Sequence, residues 1–383
     1  MGTFEPKIRP IEGLQGTVAA LPPGNAARPS TEAQMTQTIA SSGGDSIGRI
    51  AELIGGDPMS RIDADMKHVL DALAGLGARP LESATPGAAR RQPRLADAVT
   101  AILARQNRSQ GDDGVEAEAI TIEGAEGELG ARLYRPPGLL SRLNPMMLYF
   151  HGGGFVTGDL DSHDATARAL ARRTGAIVVS VDYRLAPEHK FPAAHEDAHA
   201  AWRWLVQRAR DLGGDPRRMA VAGEDAGANL AAHIAIRARD AHLTQPVHQL
   251  LIHPIAGSDL SRPSYGETLR ARPIGLPAMR WRFRHALENS EQISDARIDL
   301  VARQDLAGLA PATIVLAQID PLRSEGEALG EALEAAGVAV SVLSYDGVTQ
   351  GFFGLGLLVN KALFAQSDAA QALGRAFAPA RHS

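Results

Sequence analysis

The sequence AVAGEDAGANLAAH occupies residues 220–233 and joins two local patterns. Its first residues form a short apolar run of the kind found in buried strands, and the alanine-rich residues after Asp225 favour a helix. A strand that enters a helix so abruptly requires a tight turn between them. Asp225 stands at that turn, so its carboxylate is the first candidate for chemistry.

Similar apolar runs recur along the chain from about residue 115. They are MMLYF, AIVVSV, MAVAG, QLLI and TIVLA, and helical segments such as AHAAWRWLVQRARDLG separate them. Continuous apolar runs suit strands buried on both faces, and their alternation with helices predicts a parallel, doubly wound sheet. Because ligands bind beyond the carboxyl ends of such strands, the residues that follow each run deserve inspection.

The run MMLYF is followed directly by His151-Gly152-Gly153-Gly154. Consecutive glycines allow backbone N–H groups to point at a bound oxygen, which is how an oxyanion hole is built beside a strand-to-helix nucleophile turn. A plain tight turn is the alternative. The position after a buried strand, some seventy residues before the turn at Asp225, favours the oxyanion hole.

Five motifs together resemble the hormone-sensitive-lipase-like carboxylesterases. HGGGFVTGDLDSHD, VDYRLAPEHKFPAAHEDA, VAGEDAGANLA, DPLRSEGEAL and YDGVTQGFF occur in that family's order and spacing, over about residues 62 to 380. The resemblance implies an α/β-hydrolase fold, with a mostly parallel eight-stranded sheet flanked by helices and a helical cap. Members of the family hydrolyse small and medium esters with a serine, a histidine and an acid.

The resemblance assigns the site residues one at a time. The oxyanion donors fall on the backbones of Gly152, Gly153 and Ala226, and the triad acid falls on Asp320. Asp225 occupies the place of the serine.

Two further departures from the family pattern accompany that replacement. Gln350 stands where the family has its histidine. The usual turn has the sequence Gly-Asp-Ser-Ala-Gly-Gly, so Glu224 and Ala228 also differ. Glu224 is an auxiliary candidate.

These replacements argue against ordinary esterase chemistry. A neutral amide such as Gln350 has no useful proton affinity, and Asp225 offers no hydroxyl for acyl transfer. We therefore predict no serine-type ester hydrolysis and no labelling by organophosphates.

Several other activities remain open. Asp225 could act as an acid or base in elimination, dehydration or cyclisation of a small to medium apolar carbonyl or ester-like substrate, which is our leading hypothesis. In that case its carboxylate should turn towards Gln350, with Asp320 close by and no cation between the two acids. Alternatively, the chain is a ligand-binding pseudoenzyme, as in the gibberellin receptors that resemble this family, or an atypical ester, lactone or epoxide hydrolase.

An aspartate at this turn also has precedent in epoxide hydrolases and haloalkane dehalogenases, which attack alkyl carbon and need a histidine to activate water. His253 closes the run QLLIHP at the carboxyl end of a predicted strand. It is an auxiliary candidate for that base, and the alternative is a buried histidine bonded to backbone.

The charge and composition of the chain limit the classes of partner that it can bind. The net charge of -5 gives no basic surface for nucleic acid, and no run of eighteen apolar residues predicts a membrane span. The chain has no cysteine, and its first residues lack a signal-peptide pattern, so we expect a cytoplasmic protein. No cofactor is expected, and no clustered set of metal ligands occurs in the motifs.

We expect three regions: an arm or lid over 1–60, cap helices over 61–110 and the α/β-hydrolase domain over 111–383. A stripe of apolar residues predicts a helix over 62–77, formed by Met66, Val69, Leu70, Leu73 and Leu76. Apolar residues in 361–378 suggest a homodimer contact, unless they face the chain's own sheet; they are Leu363, Phe364, Ala370, Leu373 and Phe377.

Overall fold

The computed structural model describes residues 56–109, 111, 113–139 and 143–378. The fold below belongs to the described residues of the unit Ile47–Ser383. The arm or lid predicted over 1–60 lies outside the described residues except for 56–60, so that expectation remains a prediction.

One sheet of eight strands forms the centre of the described chain, in the order β1-β2-β4-β3-β5-β6-β7-β8. Strands β1 and β2 pair antiparallel, β2 pairs antiparallel with β4, and the other neighbours are parallel. The predicted α/β-hydrolase sheet is thus confirmed. The strands are β1 Glu116–Glu123, β2 Glu128–Arg135, β3 Asn144–Phe150, β4 Ile177–Val181, β5 Gly214–Glu224, β6 Gln249–Ile252, β7 Ala312–Ile319 and β8 Val340–Thr349.

Helices cover both faces of this sheet. They are α1 Ala64–Gly75, α2 Pro86–Ala89, α3 Leu95–Arg105, α4 Asp164–Thr174, α5 Ala193–Arg208, α6 Ala226–Asp240, α7 Pro263–Glu267, α8 Leu276–Ala286, α9 Arg323–Ala335 and α10 Asn360–Phe377. Among the helices that the structure describes, none is both long and apolar enough to cross a bilayer.

Side chains of the central strands pack into two hydrophobic cores. Met146, Leu148 and Phe150 of β3 point into one core, while Met147 and Tyr149 point into the other. All five side chains are fully buried. Successive side chains of a strand face opposite ways, so a strand covered on both sides needs apolar residues at every position. This explains the uninterrupted run MMLYF.

The apolar stripe predicted over 62–77 forms most of helix α1. Met66, Val69, Leu70 and Leu73 are buried, whereas Leu76 is 39% exposed. The helix ends at Gly75, so Leu76 leaves the buried stripe.

At the other end of the chain, helix α10 buries two of the five residues that suggested a homodimer. Leu373 and Phe377 pack into the chain's own core, while Leu363 and Phe364 are 38% and 62% exposed. The homodimer stays a prediction that rests on these two exposed residues.

Buried histidines should make the fold sensitive to acid. Burial lowers the pKa of His151 to about 3 and those of His195 and His248 to about 4. The unfolded chain binds more protons than the folded chain between these values and the ordinary histidine pKa of about 6.5. We expect the free energy of unfolding to fall from about pH 7 to about pH 5, by about 2 kcal/mol for each such histidine.

Urea unfolding at several pH values would measure this loss. The Nε2 of His248 lies within hydrogen-bond distance of Thr313 Oγ1, at 2.9 Å, so a glutamine at this position can keep that hydrogen bond. The variant His248→Gln should show a shallower dependence on pH. An unchanged slope would contradict the assignment of this part of the acid sensitivity to His248.

Candidate active site

Asp225 lies on a strained turn between β5 and α6. Its backbone has φ 56° and ψ −115°, a conformation that residues with a side chain rarely adopt. A Cβ at Gly223 or Gly227 would overlap backbone atoms of neighbouring segments, so the turn needs glycine at both positions. This geometry is that of a nucleophile elbow, with an aspartate at its apex.

The side chain of Asp225 occupies the predicted oxyanion hole. Its Oδ2 accepts hydrogen bonds from the N–H groups of Gly153 and Gly154, at 2.8 and 2.9 Å. The N–H of Gly152 instead donates to His163 Nε2 at 3.1 Å, so the prediction of Gly152 as an oxyanion donor is wrong. Gly154 takes that place. Ala226, the first residue of α6, is buried beside the turn, and its role as a donor stays a prediction.

Arg282 reaches the same oxygen from helix α8. Its Nη1 lies 3.1 Å from Asp225 Oδ2, and each side chain is only 7% exposed. A Cβ at Gly154 would overlap the aliphatic part of Arg282, so the glycine loop admits this side chain. Two N–H groups and a guanidinium around one oxygen stabilise the ionised carboxylate.

The sequence reasoning missed Arg282, although a signal was present. Arg282 stands three residues after Met279 and four before Ala286, on the buried face of an amphipathic helix. A buried arginine nearly always has a partner of opposite charge, which the position alone could have suggested.

The predicted orientation of Asp225 is therefore wrong. The carboxylate turns into the oxyanion hole rather than towards Gln350, and Arg282, a cation that the sequence did not assign to the site, lies 3.1 Å from it. Asp225 Oδ1 and both amide atoms of Gln350 are buried without a hydrogen-bond partner among the described residues. Three strong donors outcompete a neutral amide for the charge of a carboxylate.

His253 and Asp320 form a second pair of neighbouring buried polar side chains beside the elbow. His253 Nδ1 lies 3.2 Å from Asp320 Oδ2, and the two side chains are 1% and 0% exposed. Within the described chain neither ring nitrogen of His253 has a hydrogen-bond partner, so the alternative of a histidine bonded to backbone is wrong. The acid that the resemblance assigns to the triad therefore lies next to His253.

Glu224 is held by hydroxyl groups under the elbow. Its Oε1 accepts hydrogen bonds from Tyr149 Oη at 2.8 Å and Thr166 Oγ1 at 2.6 Å. Burial, together with the Glu224 carboxylate, raises the pKa of Tyr149 well above its ordinary value, which keeps the phenol as a donor. These contacts give Glu224 a supporting position rather than a reactive one.

A cavity of about 710 Å³ opens over these groups. Asp225, His253, Gln350 and Arg282 lie in its wall. Apolar side chains from α1, α3 and the segments 78–81 and 269–277 line much of the remainder; among them are Leu70, Leu73, Leu81, Leu95, Val99 and Ile274. The site can thus enclose a small or medium apolar molecule against a carboxylate.

Known proteins share this fold and much of this sequence. Residues 147–354, more than half of the chain, match the family model Abhydrolase_3, described as an alpha/beta hydrolase fold. Esterase LipI of Mycobacterium tuberculosis is 45% identical over 248 residues, which cover 63% of this chain and 77% of the relative. Carboxylesterase NlhH of the same species is 40% identical over 266 residues, covering 68% and 82%.

A solved structure agrees with these relatives. An alpha/beta hydrolase enzyme from the metagenome of Lake Arreo, Spain, superposes with a TM-score of 0.74 at 33% identity, covering 83% of this chain and 99% of that one. Together with the elbow and the eight-stranded sheet, these matches place the chain in the esterase-rich Abhydrolase_3 family of alpha/beta hydrolases, as its motifs predict.

Proposed function

We propose that this protein uses the carboxylate of Asp225 as a nucleophile towards saturated carbon and then hydrolyses the resulting alkyl ester. One observation carries the proposal. Oδ2 of Asp225 is held by Gly153, Gly154 and Arg282, while Oδ1 is buried beside the cavity without a hydrogen-bond partner among the described residues. One oxygen is fixed, and the other is not engaged by any hydrogen bond from the described residues.

Occupation of the oxyanion hole argues against the reaction of the esterase relatives. In acyl transfer the hole must receive the carbonyl oxygen of the substrate, and here its donors already bind the protein's own carboxylate. Attack on alkyl carbon does not require a free oxyanion hole for the substrate. The hole then serves the carbonyl oxygen of the Asp225 ester itself, because negative charge develops on Oδ2 when water attacks that ester.

The proposed reaction consists of two successive displacements. A lone pair of Oδ1 forms a bond to the substrate carbon, and the leaving group departs with the electron pair of the broken bond. Water then adds to Cγ of Asp225 and the charge appears on Oδ2. Collapse releases an alcohol that takes one proton of the water, and loss of the other proton restores the carboxylate. An alkyl halide would give an alcohol, a halide ion and a proton. An epoxide would give a diol, because the opened ring oxygen takes up that proton.

The cavity supports a substrate with an apolar body. Much of its wall is apolar, and its volume of about 710 Å³ suits small and medium chains. The wall also carries charged side chains besides Asp225 and Arg282; among them are Arg79, Glu82, Arg90, Arg94, Arg270 and Arg272.

Two simple probes test the proposal. The protein is incubated with 1-bromohexane or 1,2-epoxyhexane, and both the released product and the intact mass are followed. We expect either hexan-1-ol and bromide, or the diol, and a transient alkyl ester that peptide mapping places on Asp225. The variant Asp225→Asn should form neither ester nor product, because an amide lacks the nucleophilic charge.

Other outcomes would contradict carboxylate attack. Absence of both product and ester in the wild-type protein would reject it, as would an ester on any other residue. Formation of hex-1-ene in place of hexan-1-ol would show that Asp225 removes a proton rather than attacking carbon, which is the acid–base hypothesis of the sequence.

A ligand-binding protein without turnover is the second candidate, and Gln350 favours it. Both amide atoms of Gln350 are buried in the cavity wall without partners among the described residues. A ligand with an amide or hydroxyl group would satisfy them. Calorimetric binding of hexanamide that Gln350→Leu weakens at least about 10-fold, with no turnover of either probe, would support this candidate.

A further inference from the structure

We infer that His253, oriented by Asp320, is the base that activates water against the Asp225 ester. The inference rests on the proposed function, since only an ester intermediate needs such a base. It moves the base from the loop after β8, where the family resemblance places it, to the end of β6. Gln350 occupies the family position and has no basic nitrogen.

Strand pairing places His253 beside Asp225. Glu224 of β5 pairs with Ile252 of β6, and the N–H of Asp225 donates to the carbonyl of Ile252 at 2.8 Å. His253 is the next residue, so it leaves the sheet directly alongside the elbow. Both side chains lie in the wall of the same cavity.

Asp320 is arranged to hold the ring. Its Oδ1 accepts the N–H of Leu322 at 2.8 Å, while its Oδ2 forms no hydrogen bond with the described residues and lies 3.2 Å from His253 Nδ1. The ring of Phe352 packs against the imidazole with a centroid distance of 5.4 Å. A carboxylate at Nδ1 favours the tautomer in which Nε2 carries the lone pair, as in a histidine that acts as a general base.

The remaining ring nitrogen is available. No described residue forms a hydrogen bond with Nε2 of His253, although the atom is buried. Buried polar atoms without a partner are uncommon, and in the wall of a cavity they mark a place for a water molecule or a substrate group.

Other groups near the elbow do not fit this role. His163, which also lines the cavity, uses Nε2 to accept the N–H of Gly152 and has Nδ1 within 2.8 Å of Ser162 Oγ. His151 has its Nδ1 on the carbonyl of Gly152 at 2.8 Å, and burial lowers its pKa to about 3. His253 combines an unused nitrogen with an acidic partner.

Hydrolysis of the Asp225 ester by this base completes the reaction cycle. Nε2 of His253 takes a proton from water as the oxygen of that water bonds to Cγ of the Asp225 ester. Negative charge forms on Oδ2, within reach of Gly153, Gly154 and Arg282. Collapse breaks the bond to the alkyl oxygen, and the leaving alkoxide takes the proton back from the imidazolium. Residue 225 is left as a carboxylic acid that still carries the second proton of the water, and release of that proton to solvent restores the carboxylate beside a neutral imidazole.

The experiment separates alkylation from ester hydrolysis in a single turnover with 1-bromohexane. In His253→Gln we expect bromide release at a rate within about threefold of wild type, and hydrolysis of the ester at least about 100-fold slower. The ester on Asp225 should therefore accumulate. Asp320→Asn should slow hydrolysis by about 10-fold or more, because the ring loses its orienting carboxylate.

The matched control is His248→Gln, since His248 is also buried but precedes β6 at the opposite end of that strand. It should hydrolyse the ester as the wild type does.

The experiment distinguishes a failure of the role assigned to His253 from a failure of the proposed function. An ester that forms on Asp225 and hydrolyses equally fast in wild type, His253→Gln and Asp320→Asn would overturn the role of His253 and leave the proposed function standing. If the wild type forms neither ester nor product, the proposed function itself is rejected, and His253 with it. Should His253→Gln fail to fold, Asp320→Asn with unchanged hydrolysis would still overturn the inference.

Discussion

The double variant Asp225→Ser, Gln350→His is expected to hydrolyse p-nitrophenyl butyrate at least about 1,000-fold faster than the wild type. Replacement of the carboxylate frees the N–H groups of Gly153 and Gly154 to bind a substrate carbonyl oxygen. A hydroxyl then stands on the strained turn, and a histidine follows β8 as in the family motif. Strand pairing of Ile319 with Thr349 brings position 350 alongside Asp320, the acid that must orient this histidine.

The single variants are the controls for this gain. Asp225→Ser lacks a base in the family position, and Gln350→His keeps the hole filled, so each should stay within about 10-fold of the wild type. The double variant should also be labelled stoichiometrically by an organophosphate on residue 225. If wild type already hydrolyses the ester as fast as the double variant, the argument that Asp225 blocks acyl transfer is wrong.

Much of the fold could be predicted because strong local signals mark it. Uninterrupted apolar runs such as MMLYF require burial on both faces, and the close approach of backbone at Gly223 and Gly227 leaves no room for side chains. These constraints act within a few residues of sequence or recur at family spacing. They therefore indicate the strands, the elbow and the glycine loop without any coordinates.

The charge interactions of the site could not be predicted from such local sequence signals. Arg282 meets Asp225 from a helix more than fifty residues away in sequence, and His253 meets Asp320 across two neighbouring strands. The direction of the Asp225 carboxylate follows from a competition between donors. Gly153 and Gly154 were visible in the motif, but the guanidinium was not assigned to the site. The expected turn towards Gln350 assumes that the donor-rich hole stays open for a substrate, and Asp225 fills that hole instead.

The pair formed by Arg282 and Asp225 leads to a test of the site that does not depend on any substrate. Replacement of Arg282 by methionine, which keeps the aliphatic bulk, should lower the free energy of unfolding by about 3 kcal/mol. The loss arises because Asp225 remains in a buried position with only the two glycine N–H groups as donors. Removal of one member of a buried ion pair leaves a charge that water cannot solvate.

A double-mutant cycle isolates this interaction from the effects of altered packing. Asp225→Asn alone should also destabilise the fold, since Arg282 then carries an unpaired buried charge. The combination Arg282→Met, Asp225→Asn removes both charges, so its loss in urea unfolding should be smaller than the sum of the single losses by about 2 kcal/mol. The surface pair Lys67–Asp71, with 61% and 62% exposed side chains, is the matched control and should show a coupling below about 0.5 kcal/mol.

Additive losses at 225 and 282 would mean that the guanidinium does not hold the carboxylate in the hole. The preorganised nucleophile proposed for this protein would then lose the cation on which its geometry depends.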